Sequence, residues 1–193
     1  MHDMKKVAIL AAASEVFGER GLEGASMRQI AQRAGCTTGA IYPLFASKEL
    51  IYAELLAASL ADLHAQVGTA AATAPEDTRH EAAARAFLDY YLRRPYEVNL
   101  GLYAFNGLKK LGVGKDHDAV LNRILLDTVA LLSPRTGTSR RGRPDRQAMA
   151  MFAQLIGTLV LHQAGRLQLG RRSPHEIIEY SIERQRAAGS RED

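Results

Sequence analysis

The sequence predicts an all-α protein of about nine helices. Apolar residues recur at helical spacing through nearly the whole chain of 193 residues, and no segment alternates apolar and polar residues as a half-buried strand does. Three short helices fit within residues 1–50. A long helix follows and runs to about residue 68, and it connects them with a second helical region at residues 69–193. We therefore expect an N-terminal and a C-terminal helical domain.

The first two helices have clear start and stop signals. Helix one is predicted from Asp3 to Gly21, a C-cap residue, and Ser26 opens helix two with Gln29 as its capping-box partner. Gly35 ends the second helix. The side of helix one that we expect to face the core carries Val7, Leu10, Ala11, Ser14 and Phe17.

A short third helix follows Gly35, and its first residues are small. Three short helices joined by tight turns are typical of a helix-turn-helix, whose last helix enters the DNA major groove with its N-terminal residues at the base edges. A narrow first turn allows that approach, and threonine can contact bases through its hydroxyl and methyl groups. Ile41 and Phe45 should point into the core. Tyr42 should then face outward, where it and Lys48 can reach phosphates.

The segments FGERG, SMRQIAQRAG, GAIYPLF and SKE follow one another between residues 9 and 56. Together they resemble the DNA-binding region of the tetracycline-repressor (TetR) family. The resemblance implies a homodimeric, sequence-specific transcriptional regulator, usually a repressor that a small-molecule ligand releases from its double-stranded DNA operator. It implies base-edge contacts for Arg28, Thr38, Gly39 and Ala40, and phosphate contacts for Thr37, Tyr42 and Lys48.

Three positions depart from the family pattern. Pro43 and Leu44 stand where polar or aromatic residues are frequent, so DNA contact at both positions stays open. Cys36 takes a turn position that is usually aliphatic, and we expect it to act as a small buried hydrophobe rather than as a redox sensor. It is the only cysteine, which excludes an intramolecular disulfide and favours a reducing compartment.

Beyond residue 60 the resemblance rests on helix order, with helices predicted at about 78–92, 95–108, 116–132, 145–167 and 174–187. It implies a cavity for a partly apolar or aromatic effector among the middle helices. Aromatic walls with a few polar groups suit such a cavity, although they suit a plain core as well. The candidate ligand residues are Phe87, Tyr90, Tyr91, Tyr103, Phe105, Asn106 and His162.

The last two predicted helices carry apolar stripes that suit a four-helix dimer seam. Packing within one chain would produce the same stripes. The candidate dimer-interface residues are Phe152, Ile156, Leu159, Val160, Gln163, Ile177, Ile178, Ser181 and Ile182.

Charge alone does not identify a DNA-binding end. The net charge is +4, but residues 1–60 contain six Lys or Arg and six Asp or Glu. The excess lies in residues 135–172, where eight arginines accompany one acid, Asp145. We expect the Arg-rich loop at 135–146 to be a solvated connection, with a secondary phosphate contact as the alternative.

Two other function classes stay open. A helical ligand-binding protein or adaptor without DNA affinity would share these helices, and so would an enzyme with an apolar all-α cavity. The sequence contains no nucleophile elbow, phosphate loop, HExxH or metal-spaced His/Cys set, so we predict no catalysis, cofactor or metal. No signal peptide is evident, and the longest apolar run near the C-terminus, residues 155–161, is too short to span a bilayer. We expect a cytoplasmic protein without a membrane partner.

Overall fold

The computed structural model describes residues 2–102, 115–134 and 143–189. Within these ranges the secondary structure is helical, which confirms the predicted all-α class. None of the described helices is both long and apolar enough to cross a membrane. The helices are α1 (His2–Gly24), α2 (Met27–Arg33), α3 (Thr38–Ile41), α4 (Lys48–Thr73), α5 (Arg79–Arg93), α6 (Pro95–Leu102), α7 (Lys115–Ala130), α8 (Arg146–Gln163), α9 (Arg166–Leu169) and α10 (Pro174–Gly189).

The chain divides into two compact units. The first unit consists of Met1–Leu60 and Tyr96–Leu121, and the second consists of Ala61–Pro95 and Asn122–Asp193. Helix α4 contributes its beginning to the first unit and its end to the second. The predicted domain boundary near residue 68 stays a prediction.

The core of the first unit is formed by α1, α2, α3 and the start of α4. Helix α1 contributes Ile9, Ala13, Val16 and Phe17 to this core. The face predicted for α1 was wrong at Val7, which is 65% exposed, and at Ala11, which is also exposed. Residues 7–13 are all apolar, so their spacing does not fix which side of the helix is buried.

The predicted caps of α2 are confirmed. Ser26 precedes α2 and its hydroxyl accepts a hydrogen bond from the backbone N–H of Gln29 at 3.3 Å. Gly35 follows α2 with a φ of 66°, a conformation that glycine adopts without steric cost. Helix α1 begins at His2, so Asp3 lies in its first turn instead of capping it.

Two helix ends differ from the predictions. Helix α4 continues past Gly68 to Thr73, where the chain approaches Pro75. A Cβ atom at Gly68 would lie 4.0 Å from Leu131 Cδ1, so this glycine sits in a packed site inside the helix. The helix predicted to reach residue 167 instead ends at Gln163, because Gly165 takes a φ of 67° and separates α8 from α9.

In the second unit, α5 packs against α8 and α10. Aromatic rings fill part of this contact, and two ion pairs and one histidine–carboxylate hydrogen bond join α5 to α10. Residue numbers rise along α5 as their partners' numbers fall along α10, so the two helices are antiparallel. The pairs are Glu81 with Arg186, Arg85 with Glu179, and Asp89 with His175.

The pair of Glu81 and Arg186 is asymmetric in burial. The side chain of Glu81 is 1% exposed, whereas that of Arg186 is 57% exposed. Arg186 contacts both carboxylate oxygens of Glu81, and Arg85 lies 3.5 Å from one of them. A buried carboxylate depends on its partners, while an exposed guanidinium can be hydrated without them. The two members therefore differ in what their loss costs.

Replacement of Arg186 should destabilise the protein more than replacement of Glu81. We expect Arg186→Gln to lower the Tm by roughly 5–10 °C, because it leaves a buried carboxylate with one weaker partner. Glu81→Gln should lower the Tm by less than half as much, since the amide keeps the shape of the carboxylate and water can reach the guanidinium. Calorimetry of both variants at neutral pH checks the order, and the reverse order would contradict it.

Candidate nucleic-acid interface

The orientation of α3 is fixed by two buried side chains. Ile41 and Phe45, four residues apart, lie in the core of the first unit with Phe17 and Ile30. Their burial, predicted from the sequence, turns the other side of this segment toward solvent. The residues on that exposed side follow helical spacing: Gly39, Tyr42, Pro43 and Ala46.

The start of α3 presents small groups. Thr37 is the N-cap residue, is exposed, and makes no side-chain capping bond, so its hydroxyl is not used to start the helix. Thr38 and Ala40 are half-buried, and Gly39 is exposed. A Cβ atom at Gly39 would have the Thr37 hydroxyl oxygen as its described neighbour, at 3.9 Å. The backbone of this turn is therefore open to close approach from outside.

The two positions left open by the sequence differ in exposure. Pro43 is exposed beside Tyr42, whose side chain is 55% exposed. Leu44 is half-buried and packs against the core of the first unit, so its apolar side chain stabilises the fold. The missing N–H of Pro43 costs no helical bond, because α3 ends at Ile41 and a turn closes through Leu44 N–H to Ile41 O at 2.8 Å. Ala46 also lies on this exposed side. It was not among the predicted contact residues, although it follows Gly39 by seven residues, which is two helical turns.

Arg28 is exposed in the first turn of α2, and within the described residues it has no ion pair. Arg33, at the other end of α2, is held by α1: it donates to Glu15 at 2.7 Å and to Glu19 at 2.9 Å. The hydrogen bond to Glu15 has the larger effect and the one to Glu19 the next, and together they raise the pKa of the Arg33 guanidinium above its ordinary value. Arg33 thus braces α2 against α1, while the charge of Arg28 is left for another partner. The sequence pattern did not reveal this brace.

Lys48, predicted to contact a phosphate, is half-buried and engaged within the chain. Its Nζ donates to the backbone oxygens of Leu22 at 2.8 Å, Ala25 at 3.0 Å and Glu23 at 3.4 Å. The start of α4 is also capped by Ser47, whose hydroxyl accepts from the N–H of Leu50 at 3.4 Å. A phosphate contact by Lys48 stays a prediction that has to be weighed against these bonds.

Comparison with known proteins agrees with this arrangement. Residues 9–55, which include α2, α3 and the start of α4, match the family model of bacterial regulatory proteins of the tetR family. The chain is also 37% identical over 89 residues to the HTH-type transcriptional activator FasR of Mycolicibacterium smegmatis. Residues 9–55 are therefore similar to the N-terminal region of tetR-family regulators. The match to FasR covers 46% of this chain and 41% of FasR, less than half of either protein.

Solved structures of regulators share the fold over nearly the full chain. SmeT, described as the repressor of the Stenotrophomonas maltophilia multidrug efflux pump SmeDEF, superposes with a TM-score of 0.63 at 17% identity, covering 95% of this chain and 89% of SmeT. The fatty acid degradation regulator FadR from Bacillus halodurans gives a TM-score of 0.67 at 14% identity and covers 93% of both chains. At these identities the likeness establishes the fold.

The predicted ligand residues fall into three groups. Phe87, Tyr90 and Tyr91 are buried in the second unit. The centroid of the Phe87 ring lies 5.1 Å from that of Tyr91 and 6.0 Å from that of Phe152. His162 is exposed on α8, and its part in a ligand site stays a prediction. Three candidates lie outside the described residues: Tyr103, Phe105 and Asn106.

The predicted dimer residues also separate by burial. Four of them form part of the core of the second unit and are not accessible to a second copy: Leu159, Ile178, Ser181 and Ile182. Their stripe is used within the chain, where α5, α8 and α10 pack together. Val160 and Gln163 are exposed, whereas Phe152, Ile156 and Ile177 are half-buried.

A set of exposed apolar residues remains on α8 and α10. It adds residues that the sequence did not single out, among them Tyr180, which is 63% exposed. We call this the α8/α10 face. Its members are Met149, Ala153, Gly157, Val160, Leu161, Ala164 and Tyr180.

Two further predictions concern single features. Cys36 is half-buried and packs against the core of the first unit, as a small hydrophobe does. Residues 135–142 of the Arg-rich loop lie outside the described residues. In the part of the chain that the structure describes, no three His, Cys, Asp or Glu side chains come together to hold a metal ion.

Proposed function

We propose that this protein is a sequence-specific, DNA-binding transcriptional regulator that acts in the cytoplasm. The observation that carries the proposal is the arrangement of α3, with Ile41 and Phe45 buried and its other side exposed. A helix held in this way can enter a major groove without disturbing the core. The match of residues 9–55 to the family model of tetR-type regulatory proteins supports the same function.

The exposed groups suggest how bases are read. Arg28 is the side chain here that can donate two hydrogen bonds to a guanine. The other contact candidates offer methyl, methylene or hydroxyl groups, which suit thymine methyl groups and single hydrogen bonds. Tyr42 would donate its hydroxyl hydrogen to a phosphate and fix the register of the helix. These candidates are Thr37, Thr38, Gly39, Ala40 and Tyr42.

We propose that two copies bind one operator and that the α8/α10 face joins them. A helix-turn-helix usually reads two half-sites about one helical turn apart, which requires a second copy. Small residues on this face, such as Ala153 and Gly157, let a partner helix approach closely, and Val160 and Leu161 supply apolar area. In this proposal the α8/α10 face forms the dimer interface, in place of the buried residues that were predicted for it from the sequence.

The proposed output is repression that a small molecule relieves. Operator occupancy by itself can block transcription, whereas activation needs a further contact with the transcription machinery. A partly apolar or aromatic effector that enters near Phe87, Tyr90 and Tyr91 would favour a form of the dimer in which the two α3 helices no longer fit the two half-sites. A coupling of about 1–3 kcal/mol changes operator affinity roughly five- to 150-fold. FasR is named an activator, so a reporter gene must decide the sign.

Tyr42→Phe tests the proposed DNA contact. We expect about a tenfold loss of affinity for duplex DNA from the region flanking the protein's own gene, because a hydroxyl donor to a charged phosphate is lost. The salt dependence should stay nearly constant, since no charge is removed. Fluorescence anisotropy across a salt series measures both quantities.

Tyr96→Phe is the matched control, since Tyr96 is an exposed tyrosine of the same unit on α6. It should bind like the wild type. Equal binding by Tyr42→Phe and Tyr96→Phe would remove Tyr42 from the contact set. No binding of the wild type to any duplex would instead favour a helical ligand-binding protein or adaptor without DNA affinity.

Gly157→Arg tests the α8/α10 face. A Cβ atom at Gly157 would meet no described atom of its own chain within 4 Å, so the single chain should still fold. Sedimentation should show monomers in place of dimers, and operator affinity should fall at least about tenfold because the two half-sites are no longer linked. Ala72→Arg, at an exposed position of α4, is the control and should remain dimeric. A dimeric Gly157→Arg variant would exclude this face.

A further inference from the structure

Lys48 has a complete set of acceptors inside the first unit. Its ammonium carries three N–H groups, and three backbone carbonyl oxygens lie within hydrogen-bond distance. Those oxygens belong to Leu22, Glu23 and Ala25, at the end of α1 and in the connection to α2. The side chain is half-buried, so the ammonium group is part of the packed structure.

The electrostatics of this site are favourable without an external anion. Backbone oxygens at a helix end lack intrahelical donors and carry partial negative charge. Lys48 itself lies in the first turn of α4, where the helix dipole disfavours a cation. The three oxygens offset that cost, so the position of Lys48 has an explanation within the chain.

The bonds join two segments that flank the reading helices. Ala25 directly precedes the cap of α2, and Lys48 is the first residue of α4. Helices α2 and α3 lie between them in the sequence, so the bonds close this segment at both ends. A change in that closure would move Arg28 and the exposed side of α3 together.

We propose that Lys48 is a positioning residue for operator reading. It fixes the α1–α2 connection against α4 and so holds Arg28 and Tyr42 in place, and it does not neutralise a phosphate. The proposal rests on the proposed function. A phosphate contact would have to displace one of the three backbone acceptors, which would leave a carbonyl oxygen without its donor.

Lys48→Met separates the two roles. We expect the Tm of the DNA-free protein to fall, because three carbonyl oxygens lose a charged donor. Operator affinity, measured well below the lowest Tm so that every sample is folded, should fall about tenfold or more. The slope of log affinity against log salt should change by much less than one, whereas loss of a phosphate contact lowers it by about one.

Lys48→Arg is the second variant and preserves the charge. Arginine binds phosphate at least as well as lysine, so a phosphate role predicts full affinity. A planar guanidinium cannot direct three N–H groups to acceptors that converge on one atom, so the positioning role predicts weaker binding and a lower Tm. This variant also covers the case in which Lys48→Met does not fold.

Three results would overturn the proposal. One is an unchanged Tm with a slope lowered by about one in Lys48→Met, which identifies a phosphate contact. Another is a lower Tm with wild-type affinity in the folded variants, which leaves Lys48 a purely stabilising role. The third is a wild-type protein that binds no duplex, which is seen before any variant is made and removes the proposed function as well.

Discussion

The burial of Ile41 and Phe45 is the constraint on which the rest of the first unit depends. Helix α3 has four residues, too few to be stable alone, so packing and not helix propensity determines its conformation and direction. Because these two side chains lie in the core beside Phe17 and Ile30, the opposite side of the segment faces solvent. One packing interaction therefore decides which residues can meet a ligand as large as DNA.

The first unit combines this exposed side with internally compensated charge. Of its cations, Arg33 is paired with Glu15 and Glu19, Lys6 lies 2.6 Å from Glu54, and Lys48 is bound to backbone oxygens. Residues 1–60 contain six Lys or Arg and six Asp or Glu, but these charges are not evenly distributed over the surface. Most of the compensation lies between helices, where it stabilises their packing, and Arg28 retains its charge at the surface. Such a surface relies on geometry more than on bulk positive charge to find its site.

Much of the fold, and the side of α3 that faces solvent, could be predicted from the sequence, because caps and glycine turns act locally. Ser26, Gly35 and the buried pair in α3 are examples in which a short pattern fixes the structure. The register of α1 could not be predicted, since seven successive apolar residues fit any face. The partner of the apolar stripe on α10 could not be predicted for a related reason, because Ile178 and Ile182 look the same in sequence whether α5 or a second copy covers them. The contacts of Lys48 and the pair of Glu81 and Arg186 join residues distant in sequence, and no local pattern encodes such partners.

The most direct test of the account is a selection of duplexes from a random-sequence library by the wild-type protein, followed by measurement of affinity for the enriched sequences. The account predicts one enriched motif made of two symmetry-related half-sites, with centres about one helical turn apart. It also predicts that the motif binds far more tightly than random DNA at the same salt concentration. Failure to enrich any sequence, with binding no better than to random duplex, would contradict the central claim that the exposed side of α3 reads DNA.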